Sequence, residues 1–208
     1  MADELLVFEQ TLEAVFLRGL HGRVPPSCKA RLRQAGLDLD QKLRPTYPLD
    51  AWMTFLRITA QELYPEEPVD QGAFKLGETC IDGFRETMLG RAVLSLLRVL
   101  GPRRALMRAT QNFRAGNNYT ESRLKELGPR QFELWMNEVG PLPTFTAGIL
   151  HAGLRTAGAE NIRVDLSGYD GHACTYCISW SEAFVSSAWR ARATPRPPPD
   201  PGPSAPCR

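Results

Sequence analysis

The sequence predicts an α+β fold: an N-terminal helical bundle followed by β-β-α-β-β with a twisted antiparallel sheet. Three observations carry this. Through most of residues 3–115 apolar residues recur three and four apart, the period of helices with one buried face. After Gly116 the period falls to two in several short segments separated by turn residues, as antiparallel strands require. One further helical stretch divides those segments into two pairs, and helices first with strands later is the order of an α+β domain.

Residues 3–20 place Leu5, Phe8, Leu12, Val15, Phe16 and Gly19 on one helical face and Glu4, Glu9 and Glu13 on the other. Pro25 and Pro26 punctuate the chain. Ser27 is the expected cap of a short basic helix to about Ala35, with Gly36 closing it. LDLDQKLRPTYP reads as a linker. Asp50 opens a helix whose stripe is Trp52, Phe55, Leu56, Thr59 and Leu63, stopped by Pro65. From about Val69 the next stripe is Phe74, Gly77, Ile81, Phe84 and Met88, and Gly77 within it implies a close neighbour. AVLSLLRVL is apolar nearly all round and predicts the buried central helix. Gly101 and Pro102 turn the chain into a helix over RRALMRATQNF.

YTESRLKEL alternates weakly, while Phe132, Leu134 and Met136 share one strand face, and Gly128-Pro129 makes the two a hairpin. A helix follows from about Leu142 to Ala157, with Phe145, Ile149 and Leu154 on its apolar side and Gly158 at its end. Ile162, Val164 and Leu166 alternate as a third strand. Gly168 to Gly171 turn, and Cys174, Tyr176, Ile178 and Trp180 alternate as a fourth.

The length of 208 residues suits one α+β domain over 1–190 and a proline-rich, disordered tail over 191–208. The tail carries P-x-x-P spacings that suit a groove on a protein partner. A net charge of +2 is too small by itself to argue for nucleic acid, which is not expected as a partner, or for an anionic membrane. No apolar run reaches a membrane span, and the acidic start MADELLVFEQ is unlike a signal peptide, so a cytoplasmic location is expected. The five cysteines are irregularly spaced and suggest no disulfide framework.

The stretch GHACTYCISW places His172, Cys174 and Cys177 in H-x-C-x-x-C spacing. On a continuous strand Cys174 and Cys177 point to opposite faces, roughly 10 Å apart along the chain, too far for one zinc ion or a disulfide. A metal is therefore not favoured, and only a bulge at residue 175 or 176 would restore the alternative of His172, Cys174 and Cys177. His151 is a lone helix histidine. No nucleophile with its base, P-loop or dinucleotide fingerprint stands out, so the protein reads as non-enzymatic. From Arg91 to Arg130 there are nine basic residues and two acidic ones. Arg104 and Arg108, one helical turn apart, are candidate anchors for a phosphate, a carboxylate or an acidic partner.

As a series, FEQTLEAVFLRGL, LRPTYPLDAWMTFL, GFRETMLGRAV, GPRRALMR, GILHAGLRTAGA and CTYCISW resemble a family of proteins of unknown function, about two hundred residues long, expanded in myxobacteria. More remotely, helices before β-β-α-β-β, with a closing C-x-Y-x-I-x-W strand, resemble the four-vinyl-reductase domain. That fold is shared by haem nitric-oxide sensors and by vesicle-tethering subunits. The resemblance implies an apolar pocket between helices and sheet that holds haem, another small hydrophobic ligand or an acyl chain. It also implies a homodimer formed through the helical face. The haem sensors carry a Tyr-x-Ser-x-Arg motif for the propionates, which is not found in this chain, and no cofactor is predicted outright. On this reading the pocket is lined by Phe84, Met88, Leu106, Met107, Phe132, Leu134, Phe145, Ile149 and Trp180. The expected function is a sensor or ligand-binding module in bacterial signalling; the alternative is a protein-interaction or scaffold subunit acting as a dimer or in a signalling complex.

Overall fold

The computed structural model describes residues 4–182. A short strand β1 (Leu6–Phe8) leads into α1 (Glu9–Leu12) and a π-helical turn (Glu13–Gly19), then α2 (Pro26–Gln34) and β2 (Thr46–Pro48). Five helices follow: α3 (Leu49–Leu63), α4 (Val69–Arg85), α5 (Met88–Leu100), α6 (Pro102–Met107) and α7 (Ala109–Arg114). The hairpin β3 (Ser122–Gly128) and β4 (Gln131–Met136), the helix α8 (Pro143–Thr156), and strands β5 (Ala159–Tyr169) and β6 (Cys174–Glu182) complete the chain. The fold is α+β with antiparallel sheets: β1 pairs with β2, and the four-stranded sheet has the order β3-β4-β6-β5. The Pro-rich tail and the boundary at residue 190 lie outside the described residues.

The stretch 3–20 is not one helix. Its helical spacing is real from Glu9 onward, but Val7 pairs with Tyr47, and the Phe8 amide donates to the Gly116 carbonyl at 2.9 Å. Asn118 fixes the same strand, its side chain accepting from the Leu6 amide and donating to the Glu4 carbonyl. These partners are remote in sequence, so local periodicity could not reveal them. Gly19 ends the widened turn because a Cβ there would lie 2.4 Å from the Thr79 carbonyl oxygen of α4.

Ser27 is not a cap. Pro25 holds the N-cap position of α2 and the Ser27 hydroxyl donates to Glu62 of α3. Gly36 and Gly158 do follow their helices with φ of +100° and +92°, the left-handed conformation that L side chains avoid.

The central helix is α4, packed against the π-helical turn, α3, α5 and α8. The sequence points to AVLSLLRVL instead, and the structure corrects this. Within α5 only one face, with Leu94 and Leu97, is buried, while Leu96 and Val99 are exposed. What marks the central helix is small residues, since Gly72, Gly77 and Gly83 each bring a neighbour within 3 Å of where a Cβ would be. Met88 belongs to α5 rather than to the α4 stripe, because the chain turns at Thr87, whose hydroxyl caps the Gly90 amide. RRALMRATQNF breaks at Arg108 into two short helices.

In the sheet, β4 and β6 pair without interruption from Gln131↔Ser179 to Met136↔Cys174. The irregularities fall on β5, between Glu160 and Arg163 and between Leu166 and Gly168. Leu134, Tyr176 and Phe132 face α8 and are almost completely buried, and Phe132 stacks on Trp180 with ring centroids 5.2 Å apart.

Candidate ligand cavity

Buried side chains form three clusters. Trp52 anchors the first, edge-on to Phe16 and Phe145. The second lies between the sheet and α8, and the third joins Leu94, Leu97, Ala105 and Ala157. One helix serves two of them: Phe145 of α8 and Leu142 at its N-cap belong to the first, and Ala147, Leu150 and Leu154 to the second. Where the three meet, side chains leave a cavity of about 190 Å³. Its floor includes Trp52, Cys80 and Phe145, and α5 to α7 cover it with Leu94, Leu97, Leu106 and Ala109.

Of the residues read from the sequence as lining, Phe84, Leu106, Phe145 and Ile149 border this cavity. Phe132, Leu134 and Trp180 pack instead in the cluster between sheet and helix. Met88 and Met107 point outward, 84% and 64% exposed, because each is turned roughly 100–120° around its helix from the inward Leu94 or Leu106. Arg104 and Arg108 are exposed on the same cover and do not border the cavity.

Two polar groups on the wall escape the sequence reading. Tyr119 is half-buried, and its phenol titrates well above the usual range because burial, and then the Glu138 carboxylate, disfavour its anion. Glu138 is mostly buried. One of its oxygens accepts from the Gly140 amide at 2.9 Å, and the other lies 2.9 Å from Nδ1 of His172. Asn137, next to Glu138, ties the Tyr119 segment to the end of β4, its side chain donating to the Tyr119 carbonyl and accepting from the Glu121 amide across the mouth of the β3–β4 hairpin. A signal for Tyr119 was present. Tyr119-Thr120-Glu121-Ser122-Arg123 keeps the tyrosine and arginine of Tyr-x-Ser-x-Arg at their spacing, with Glu121 in the serine's place. Arg123, however, lies over the Trp135 ring at 4.7 Å rather than on the cavity wall, and Glu121 is exposed near Arg114.

The cysteines behave as apolar side chains. Cys80 is buried in the cavity wall, and burial pushes its thiol up to about 12. Burial also raises Cys174, which faces the core, whereas Cys177 sits half-buried on the other face of β6. His172 is exposed in the preceding turn and engaged with Glu138, so His172, Cys174 and Cys177 do not converge. Among the described residues no three His, Cys, Asp or Glu side chains are grouped to hold a metal ion. His151 lies on α8 with Nδ1 3.0 Å from Glu78 and its ring against Phe74.

The Cys80 shift has a consequence for stability. A thiol raised from 9.0 to about 12 on folding favours the native state fully below about pH 9, and that contribution is lost as pH rises toward 12. The melting temperature should therefore fall more steeply between pH 8 and pH 10.5 in the wild type than in Cys80→Ala. Equal slopes would refute the assignment.

Residues 5–181 match the family described as "Protein of unknown function (DUF2378)". The chain belongs to that family. No curated protein matches this DUF2378 sequence. Solved structures show its fold. An H-NOX protein from K. algicida with unliganded Fe(II) superposes with a TM-score of 0.63 at 11% identity, over 85% of this chain and 97% of that one. An H-NOX protein from S. oneidensis in the Fe(II)NO ligation state gives 0.62 at 13% identity, over 83% and 99%. A structure described as probing haem distortion in the H-NOX family gives 0.60 at 16%, over 85% and 95%. This DUF2378 chain thus has the H-NOX fold.

Haem itself requires an axial donor such as imidazole, thiolate or phenolate. Among the described residues the cavity wall has no histidine to ligate the iron and no lysine or arginine to pair with the propionates, and burial disfavours the anions of its thiol, Cys80, and its phenol, Tyr119. These residues do not fit a haem.

Proposed function

We propose that the protein is a non-enzymatic sensor module that binds a small, largely apolar molecule in the cavity between α4, α5 to α7, α8 and β4. The observation that carries this reading is the cavity of about 190 Å³ where three packed clusters meet. Protein interiors are normally packed with few voids larger than a water. An engineered apolar cavity of roughly 150 Å³ in another protein stays dry and takes up benzene. The wall here is mainly aliphatic and aromatic, and Tyr119 and Glu138 are among the polar groups on it able to orient a ligand, with Gln10, Asn112, Asn117 and three threonines. Likeness to H-NOX structures supports the fold, and the four-vinyl-reductase-like use of that fold for a hydrophobic ligand supports the reading. On this reading the module serves bacterial signalling, a role supported by the resemblance of its motif series to a myxobacterial family and of its fold to sensor domains.

Among the described residues the wall's one charged group is the Glu138 carboxylate, which sets a preference. A ligand carboxylate would be buried beside Glu138 without a cation on the wall, whereas an alcohol or amine can donate to it. Toluene, benzyl alcohol, benzylamine and benzoate, which share one ring, should therefore separate in a thermal-shift assay. The first three are expected to raise the melting temperature and benzoate to leave it unchanged. At a hundredfold excess over Kd a bound ligand stabilises the fold by about 2.7 kcal/mol, well within detection. If none of the four shifts the melt, and native mass spectrometry finds no retained molecule, the reading fails.

A further inference from the structure

The outer face of the cavity's cover differs in character from its inner face. On α5 the inward positions Leu94 and Leu97 are buried, while Met88 and Val99 are each 84% exposed and Leu96 is 45% exposed. Met88, Ala92, Ser95 and Val99 follow at three- and four-residue steps and form one outward stripe, with exposed Arg91 and Arg98 along its flank. On α6 Ala105 and Leu106 turn inward, and Met107 is exposed between Arg104 and the following Arg108. Both helices bury their inner sides against the same cavity, so their exposed sides face outward together.

The charge here is of one sign. From Met88 to Thr120 the sequence has six arginines and no lysine, aspartate or glutamate. Arg103 pairs with Glu126 at 2.7 Å and Arg114 with Glu121 at 3.6 Å. Among the described residues Arg91, Arg98, Arg104 and Arg108 have no acidic partner. Many cations elsewhere on the surface are paired, as in Lys29–Asp40, Arg31–Glu62 and Arg33–Asp38, and among the described residues those without an ion pair, such as Lys42 and Arg57, are not gathered with exposed apolar side chains on one helical face. The net charge of +2 conceals this asymmetry.

We propose that the outer face of α5 and α6 docks on an anionic membrane surface. Unpaired guanidinium groups complement headgroup phosphates with bidentate hydrogen bonds. Apolar side chains set among basic ones on a surface helix match the composition of helices that lie in the bilayer interface. Four apolar side chains supply only a small part of the roughly 800 Å² per partner that a stable protein interface buries, whereas a bilayer needs no complementary outline. This role is independent of the cavity and stands whether or not a ligand enters it.

The experiment is flotation of the full chain with phosphatidylcholine vesicles, with and without phosphatidylserine. The expected result is binding to the anionic vesicles alone, weakened by added salt. With about 1 kcal/mol per basic residue near such a surface, which is roughly fivefold, Arg104→Glu with Arg108→Glu should lower partitioning about 25-fold or more. Val99→Ser with Met107→Ser should also weaken it. Lys42→Glu with Arg57→Glu, exposed positions outside this face, makes the same change in net charge and should leave binding unaltered. All these side chains are exposed, and unchanged circular dichroism and melting will show that the fold is intact. Equal binding to neutral and anionic vesicles overturns the proposal, as does an equal loss in the control pair. A dimer in light scattering that Val99→Ser dissociates, with no vesicle binding, would assign the face to self-association and overturn it too.

Discussion

Gly77→Ala is expected to destabilise the protein by about 2–3 kcal/mol, although alanine favours a helix over glycine by about 1 kcal/mol. The reason is the crossing of α4 and α8. A Cβ at Gly77 would lie 2.1 Å from the Phe145 carbonyl oxygen, 2.9 Å from the Ile149 amide nitrogen and 3.0 Å from the Gly148 Cα. All three are backbone atoms, so no rotamer change relieves the overlap and the helices must separate. The crossing is reciprocal, since a Cβ at Gly148 would lie 2.0 Å from the Phe74 carbonyl oxygen. Gly77→Ala with Gly148→Ala should therefore cost less than the two single losses added, because one separation accommodates both methyl groups. Urea unfolding of the three variants measures this. A single-site loss below about 0.5 kcal/mol, the range of ordinary surface substitutions, would show that the helices are not in such contact.

Ala109→Phe is expected to weaken any cavity ligand at least a hundredfold, about 2.7 kcal/mol, while leaving the fold as stable as before or more so. Ala109 is buried at the start of α7 and borders the cavity. A phenyl group fills most of a void of this size, and each Å² of apolar surface it buries contributes roughly 25 cal/mol. Loss of site and loss of fold thus move in opposite directions, so a thermal melt with and without benzyl alcohol distinguishes them. A ligand-induced shift that persists in Ala109→Phe, and in Ala105→Phe at the neighbouring wall position, would place the ligand elsewhere.

Much of the sheet was readable because its signal is local. Cys174, Tyr176, Ile178 and Trp180 alternate with more polar residues, and each is buried as that alternation requires. The stripes of α3 and α4 and the close approach at Gly77 were readable for the same reason. The β1–β2 pairing was not, because Val7 and Tyr47 are forty residues apart and neither short segment alternates long enough to show a period. The placement of α5 misled because apolar content was equated with burial. Val99 and Met88 are apolar and exposed, whereas the true centre of the bundle is marked by glycines. At the cavity, Phe84, Leu106, Phe145 and Ile149 were accessible to pattern reasoning as inward-facing apolar positions. Glu138 was not, since a carboxylate in a loop after a strand is ordinarily solvated. Its burial follows from Gly140 and His172, which the fold supplies.

The division of α8 between two clusters bears on mechanics. Phe145 holds one end of the helix to the Trp52 side, and Leu150 and Leu154 hold the other to the sheet, so a single rod bridges two separately packed masses. The void lies in the joint between them, where few atoms resist bending or shear. A molecule lodged there acts as a wedge that stiffens the joint. Occupancy then registers as reduced rocking of the sheet against the bundle, measurable as slowed amide exchange along α8 even if the average positions of the two masses are unchanged.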